Sequence, residues 1–488
     1  MKKYILAIDQ GTTSTRAILF DKNQQIVKVA QKEFPNFFPE PGWVEQDAND
    51  IWKTTLEVIN ELFETKEYKP EEVESIGITN QRETTVLWDK TTGEPVYNAI
   101  VWQSRQTTEI INRYKDKESL IRSKTGLVLD PYFSASKIKW IYENVKGVKD
   151  NPNILFGTVD TWLTWKLSNG KSHITDVTNA SRTLLFNINT LNWDKELLDI
   201  FEIPESILPT IVDTSGHLAQ VDPSNFFNQD IEIRSLVGDQ QAALYGQSCF
   251  EEGSCKNTYG TGGFLLYNTG CKPHISKNGL LSTVAWKIND EVKYALEGSI
   301  LVSGSLVQWL RDGLKIIKSA GETEEISKSV ESSNGVYIVP AFTGLGAPYW
   351  DANARGSIFG LTRGTDSRHI VRAAIESQAY QSKDLIHIIE EEVGKKINNL
   401  KVDGGATANK FLLQFQADIL EAPVLKNSFI EMTALGAARL AGIVSSFYSK
   451  EAFLHESLTE YKPSMDHSTV EDMYNNWKKA IKACQKYE

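Results

Sequence analysis

YILAIDQGTTSTRAILF, residues 4–20, is the stretch on which the reading of the chain turns. Tyr4 to Ile8 and Ala17 to Phe20 are short apolar runs, and DQGTTSTR stands between them. Two such runs joined by a Gly-containing polar turn read as a β-hairpin. Gly11 allows a tight turn or a close approach to a ligand. The peptide N–H groups and the hydroxyls of Thr12, Thr13, Ser14 and Thr15 would then converge on one point, a nest that favours phosphate. Asp9 is the odd member. A carboxylate beside a phosphate repels it unless a cation stands between, and magnesium suits an oxygen ligand of this kind. An ordinary polar turn has the same composition, so the rest of the chain must decide.

The layout returns in the second half. CKNTYGTGGFLLYNTG, from Cys255, again gives strand, Gly/Thr turn and strand, with Gly260, Thr261, Gly262 and Gly263 in the turn. Ile231 to Val237 is an apolar strand that runs through Gly238 and Asp239 into a helix. Asp239 at that junction reads equally as a helix N-cap. Leu400 to Val402 runs likewise into DGGATANKFLLQFQADIL and echoes it. Strands are expected at 26–30, 74–79 and 86–88, helices at 47–63 and 368–392, and a loop running into an amphipathic helix over 130–144. A further helix, entered through Gly and Ser residues, is expected in GSILVSGSLVQWLRDGL. Residues 168–230 are weakly patterned. EEGS, 251–254, divides the chain into domains 1–250 and 251–488. Two similar α/β domains with facing phosphate turns form a cleft that suits a nucleoside triphosphate. Arg82 and Glu83 fall at a strand's carboxyl end, where open α/β sheets bind ligands. A surface salt bridge is the plain alternative. Tyr132 precedes a helix and has a hydroxyl to offer; Trp102 reads as core or groove wall.

At 488 residues the chain exceeds one ordinary hydrophobic core. Its 41% hydrophobic and 24% charged residues are those of a globular protein. A net charge of −11 argues against nucleic-acid binding. Cysteines 249, 255, 271 and 484 form no zinc or disulfide spacing. Neither a signal peptide nor a membrane-spanning run is apparent, so a cytoplasmic location is expected.

The motifs AIDQGTTSTRAILF, GITNQRET, GDQQAALYGQ, NTYGTGGF, GSLVQWLRDGL and VDGGATANKFLLQFQADIL resemble the FGGY carbohydrate kinases, most of all their glycerol-phosphorylating members. YFSASKIKWIYEN and residues 360–378 match that family's signature patterns, and the resemblance runs from Tyr4 to about Lys479. It implies an α/β fold of two actin-like ATPase (ribonuclease H-like) domains flanking a nucleotide cleft. It also implies transfer of phosphate from ATP, with Mg²⁺, to glycerol. Thr12, Thr13, Ser14, Arg16 and Thr261 would meet the phosphates. Gly304, Gln308, Gly405 and Asn409 would hold the nucleotide, and Asp9 would hold magnesium through water. Arg82, Glu83, Tyr132, Asp239 and Gln240 would bind glycerol between the apolar walls Trp102 and Phe264, with Asp239 as general base. Arg82 donates, Glu83 and Asp239 accept, and Gln240 can do both.

A homodimer or homotetramer and no stable membrane insertion are also implied. Asn225, in PSNFFNQD, stands where some members carry a regulatory histidine. KPSMDHSTVED replaces a second contact segment, with His467 read as a surface residue. Both departures put phosphotransferase-system control in doubt. The rival readings are a kinase for another polyol or sugar, such as a pentulose, and an ATP-driven binding or filament protein on the same fold.

Overall fold

A computed structural model describes residues 2–351, 353–427, 429, 431–450, 453 and 457–486. The opening stretch is a hairpin, β1 (Tyr4–Gln10) and β2 (Ser14–Phe20), extended antiparallel by β3 (Ile26–Glu33). On its other side β1 pairs in parallel with β4 (Val73–Asn80). Strand β5 (Ser215–Gln220) is antiparallel to β6 (Glu232–Gly238), which is parallel to β4. The first sheet therefore has the order β5-β6-β4-β1-β2-β3.

The second sheet is built from β7 (Cys255–Tyr259), β8 (Gly263–Gly270), β9 (Leu281–Ile288), β10 (Glu291–Ile300), β11 (Leu400–Asp403), β12 (Val424–Asn427) and β13 (Leu458–Tyr461). Its order is β9-β10-β8-β7-β11-β12-β13. Without β9 the two sheets match strand for strand. Each has a three-strand antiparallel meander, two strands parallel to the first hairpin strand, and an antiparallel edge. The duplication read from the turns is thus a duplication of strand arrangement, although the chain order of the outer pair differs: edge strand β5 precedes β6, whereas β13 follows β12. The Gly-turn echo is not part of it: β6 and β11 occupy different places, and the counterpart of β11 is β4.

The apolar run of β1 is continuous because both faces of the sheet are covered. Leu6 and Ile8 pack with Ile51, Val58 and Leu62 of α1 (Ala48–Phe63), which Asp47 caps. Ile5 and Ala7 face the other way, onto Ala242 and Leu244 of α2 (Asp239–Gly246) and the alanines of a later helix, Met432–Val444. That later helix lies in sequence between β12 and β13 of the second sheet, yet it packs on the first. A methyl on its Gly436 would sit 1.9 Å from the Ala242 carbonyl oxygen, so the two helices cross backbone against backbone. The chain folds back onto its first half here, and the lobes are coupled through this crossing.

One expectation is corrected, and one unplaced stretch is resolved. Gly298 to Ile300 belong to β10, held by pairing to Gly263–Leu265, and the helix starts only at Gly304. Residues 168–230 contain several elements too short to show periodicity, among them Ile174–Asp176, Val177–Ala180 and Lys195–Phe201. The long helix is Ser367–Val393, and Asp366 caps it.

Candidate active site

Asp9 and Arg16 face each other across the first hairpin. The turn closes through the Gly11 N–H on the Ser14 carbonyl at 2.9 Å, and Gly11 does not use the left-handed backbone region. Thr12 to Ser14 form the rim, with Thr13 exposed and its two neighbours half-buried. Trp102 donates its indole N–H to the Thr12 hydroxyl at 2.9 Å, and Gln31 donates to the Ser14 hydroxyl at 3.2 Å. Thr15 does not join the nest. Successive strand residues point to opposite faces, and its hydroxyl is buried against that of Thr54 at 3.0 Å. Arg16 bridges Asp9 at 2.7 Å and Glu431, next to the Met432–Val444 helix, at 2.6 Å.

The second hairpin turn is tied to the helix Gly304–Asp312. The Thr261 carbonyl accepts the N–H groups of Ser303 and Ser305, and the Gly260 carbonyl accepts that of Gly304. A methyl on Gly304 would lie 2.6 Å from the Gly260 oxygen. Gln308 follows one turn on and is exposed. Gly404 packs onto the Tyr259 carbonyl at the end of β7, and next to it Gly405 is open, with nothing within 4 Å of an added methyl. Thr261, Gly304 and Gly405 therefore gather around one end of the second sheet. Asn409 is partly engaged: it caps the helix Lys410–Leu420 and donates to the Thr323 hydroxyl at 3.1 Å. Gly304→Ala is expected to push the helix start off the turn. If the turn holds a nucleotide, as the motif resemblance implies, ångström-scale misplacement, which costs up to about 100-fold, should raise KM for that nucleotide about 10-fold or more with little change for a second substrate, as steady-state kinetics would show.

Between the hairpins lies a buried charge cluster. Arg82 is 3% exposed and clamps Glu297 of β10 with two N–H···O bonds of 2.5 and 2.9 Å. Its Nε stands 3.2 Å from the Asp239 carboxylate. Glu83 adopts φ 62°, a left-handed conformation. Such strain persists where the surroundings enforce it. Ser134 and Lys137 donate to the Glu83 carbonyl at 3.0 and 3.1 Å, and Arg182 donates to its carboxylate at 2.6 Å. Arg182 also reaches Glu297 at 3.0 Å. Trp102 meets the rings of Tyr132 at 5.5 Å and Phe264 at 6.2 Å, both edge-on, and so links the first turn to the second lobe as a groove wall. Gln240 accepts from Lys256 at 2.6 Å.

Burial pushes the Asp239 carboxyl up; Arg82 and Lys256 pull it back without cancelling the effect. Burial would also raise Glu297, but Arg182 and Arg82 outweigh it and hold that carboxyl at about 2. Burial lowers Lys137 to about 7, with Glu83 opposing. Asp239 is not the N-cap of α2. Gly238 takes that place, and Asp239, the first helical residue, accepts the Gln240 N–H at 2.7 Å.

The five sequence-named polyol residues and both aromatic walls thus surround one cluster. Sequence reasoning missed Glu297, Arg182, Lys137 and Lys256. The signal available for Glu297 was a charge inside an apolar strand, YALEGSI. For a divalent cation, Asp9 offers one buried carboxylate, and no group of three or more such ligands occurs among the described residues. That donor set fits magnesium, which keeps several waters and takes few protein ligands, and does not fit a caged metal.

The model of the FGGY carbohydrate kinase N-terminal domain matches residues 4–246, and that of the C-terminal domain matches 255–445. Glycerol kinases of Geobacillus sp. (strain WCH70) and Bacillus mycoides (strain KBAB4) are 54% and 53% identical, with the whole of each chain covered. The crystal structure of Plasmodium falciparum glycerol kinase with ADP superposes with a TM-score of 0.92 at 38% identity, covering 99% of this chain and 98% of that one. Gluconate kinase from Lactobacillus acidophilus, 23% identical with a TM-score of 0.90, shares the fold. With both domain models matched over nearly all of the two lobes, the chain belongs to the FGGY family of carbohydrate kinases.

Proposed function

We propose that the chain transfers the γ-phosphoryl group of ATP to glycerol, giving sn-glycerol 3-phosphate, with Asp239 as general base. The observation that carries this reading is the 3.2 Å approach of Arg82 Nε to Asp239 at the junction of the lobes. A guanidinium and a carboxylate set side by side suit a polyol, whose adjacent hydroxyls need both an acceptor and a donor. Asp239 takes the proton of the terminal hydroxyl as that oxygen attacks the γ-phosphorus, and the bond from that phosphorus to the β,γ-bridging oxygen breaks to release ADP. Phosphoryl transfer asks little else of a protein than position and charge stabilisation. Thr12, Thr13, Ser14 and Thr261 hold the phosphates, with Arg16 released from Glu431 to join them. Gly304, Gln308, Gly405 and Asn409 hold the nucleoside. Arg82, Glu83, Tyr132 and Gln240 hold the polyol. Magnesium, held by Asp9 through water, supplies charge neutralisation at the phosphates when bound. Closure of the lobes excludes water and suppresses ATP hydrolysis.

Relatives 53–54% identical over the whole chain, named glycerol kinases, support glycerol over the pentulose alternative. The domains divide at 251–254, and a homodimer or homotetramer in the cytoplasm is the expected state. Phosphotransferase-system control is not expected. Asn225 donates to the carbonyls of Lys166 and Leu167 and serves the local turn, and His467 is an exposed partner of Glu421. Among the described residues no helix is long and apolar enough to cross a membrane.

A coupled assay of ADP formation tests the reading. ADP release that requires glycerol is expected; release without it would identify an ATPase, and a response to a pentulose alone would identify the alternative. The pH profile adds a second check. A base must be ionised to work, and burial raises the Asp239 carboxyl above its ordinary 3.8. The acid limb of kcat/KM should therefore inflect above pH 3.8, with activity lost as pH falls through it. An inflection at or below 3.8 would remove Asp239 from that limb.

A further inference from the structure

Lys256 is a fully buried cation on β7, in the second lobe, and the phosphoryl-transfer scheme above gives it no task. Its ammonium has three N–H donors, and three acceptors meet them: Gln240 Oε1 at 2.6 Å, Thr258 Oγ1 at 2.9 Å and the Phe264 carbonyl at 3.3 Å. No donor is left for a substrate.

The contact with Gln240 carries information that an amide pair would not. The oxygen and nitrogen of a glutamine are easily interchanged, but an ammonium can only donate. The atom facing Lys256 is therefore the amide oxygen, and the NH₂ group is the free end. Thr258 and Phe264 belong to the two strands of the hairpin that carries Thr261, and Gln240 belongs to α2 of the first lobe. Lys256 thus joins the second phosphate turn to one side chain of the polyol site. Asp403, Asp239, Glu297 and Arg82 are the charged groups facing it; burial lowers its pKa to about 8, the three carboxylates oppose that shift and Arg82 adds to it.

We infer that Lys256 is a positioning residue that locks the Gln240 amide as a hydrogen-bond donor, so that the site selects a substrate oxygen able to accept there, and that the second lobe imposes this choice. The inference rests on the polyol-kinase reading, with Gln240 touching the polyol. It narrows the sequence expectation that Gln240 can both donate and accept.

A double-mutant cycle on the full chain tests it. Lys256→Met keeps the stem and removes the donors; Gln240→Leu removes the amide. Each should raise KM for glycerol about 10- to 100-fold, in line with leaving one buried polar group unmatched, and leave KM for ATP within about 2-fold. The double variant should be no worse than Gln240→Leu alone. A glycerol KM within about 2-fold of wild type in Lys256→Met, or losses that multiply in the double variant, would overturn the inference. Gln240→Glu decides the matter independently if Lys256→Met does not fold. It preserves shape and the Lys256 contact but loses the donor, so its glycerol KM should also rise about 10-fold or more, and an unchanged KM rejects the donor assignment. If the wild-type chain responds to another polyol and not to glycerol, the glycerol reading fails. The same cycle run with that polyol still tests Lys256.

Discussion

Asp239→Asn should leave a folded protein whose turnover is lower by about 10²- to 10⁴-fold, the usual contribution of a general base. The substitution keeps the shape of the side chain. An amide oxygen can still accept the Gln240 N–H, now at 2.7 Å, and can still face Arg82 Nε, now at 3.2 Å. What it cannot do is take a proton. The loss should therefore fall on kcat, with KM for glycerol changed only a few-fold, because glycerol is neutral and keeps its hydrogen-bonding partners. Thermal stability should hold or rise slightly: burial disfavours the Asp239 charge, and the variant no longer carries it. Steady-state kinetics with a thermal melt checks both halves. Wild-type turnover would refute the base assignment, and equal losses in kcat and Tm would mark Asp239 as a structural residue.

Much of this was legible in the sequence because the signals are local. The hairpin at 4–20 shows two apolar runs around a glycine turn, and the same signal at 255–270 gives the second lobe. Asp239, Arg82 and Glu83 stand at strand ends, where sequence pattern and ligand position coincide. What was not legible depends on partners far along the chain. Glu297 acquires its role from Arg82, 215 residues away, and Arg182 from Glu83, 99 residues away. Arg182 lies in the unpatterned stretch, where elements of three or four residues leave no period to read. Gly298 to Ile300 look like the polar entry to a helix. Pairing to Gly263–Leu265 overrides that local preference and makes them strand. Thr15 was assigned to the nest by composition, and only the alternation of β2 shows that it points away.

Glu297→Gln is expected to cost both stability and substrate affinity, and it is the sharpest test of how the second lobe builds the site. Glu297 is fully buried and accepts Arg82 through both oxygens and Arg182 through one. Removing its charge leaves two buried guanidinium groups with Glu83 and the partly exposed Asp239. Breaking a buried pair on one side typically costs about 3–5 kcal/mol, which for a chain of 488 residues lowers Tm by about 3–5 °C. Its pKa gives the pH dependence. The carboxyl is held at about 2 against an ordinary 4.5. Its contribution, roughly 3 kcal/mol by linkage, is fully present above pH 4.5 and is lost as pH falls from there toward 2. The Tm gap between wild type and Glu297→Gln should therefore be widest near neutrality and narrow below pH 4.5. Near neutral pH the variant should also bind glycerol about 10-fold or more weakly, because Arg82, freed from its clamp on β10, can close on Asp239 and hold the oxygen that must receive the proton. A gap in Tm that does not vary with pH would mean that Glu297 acts through packing alone, and an unchanged glycerol KM would mean that Arg82 keeps its place without the second lobe.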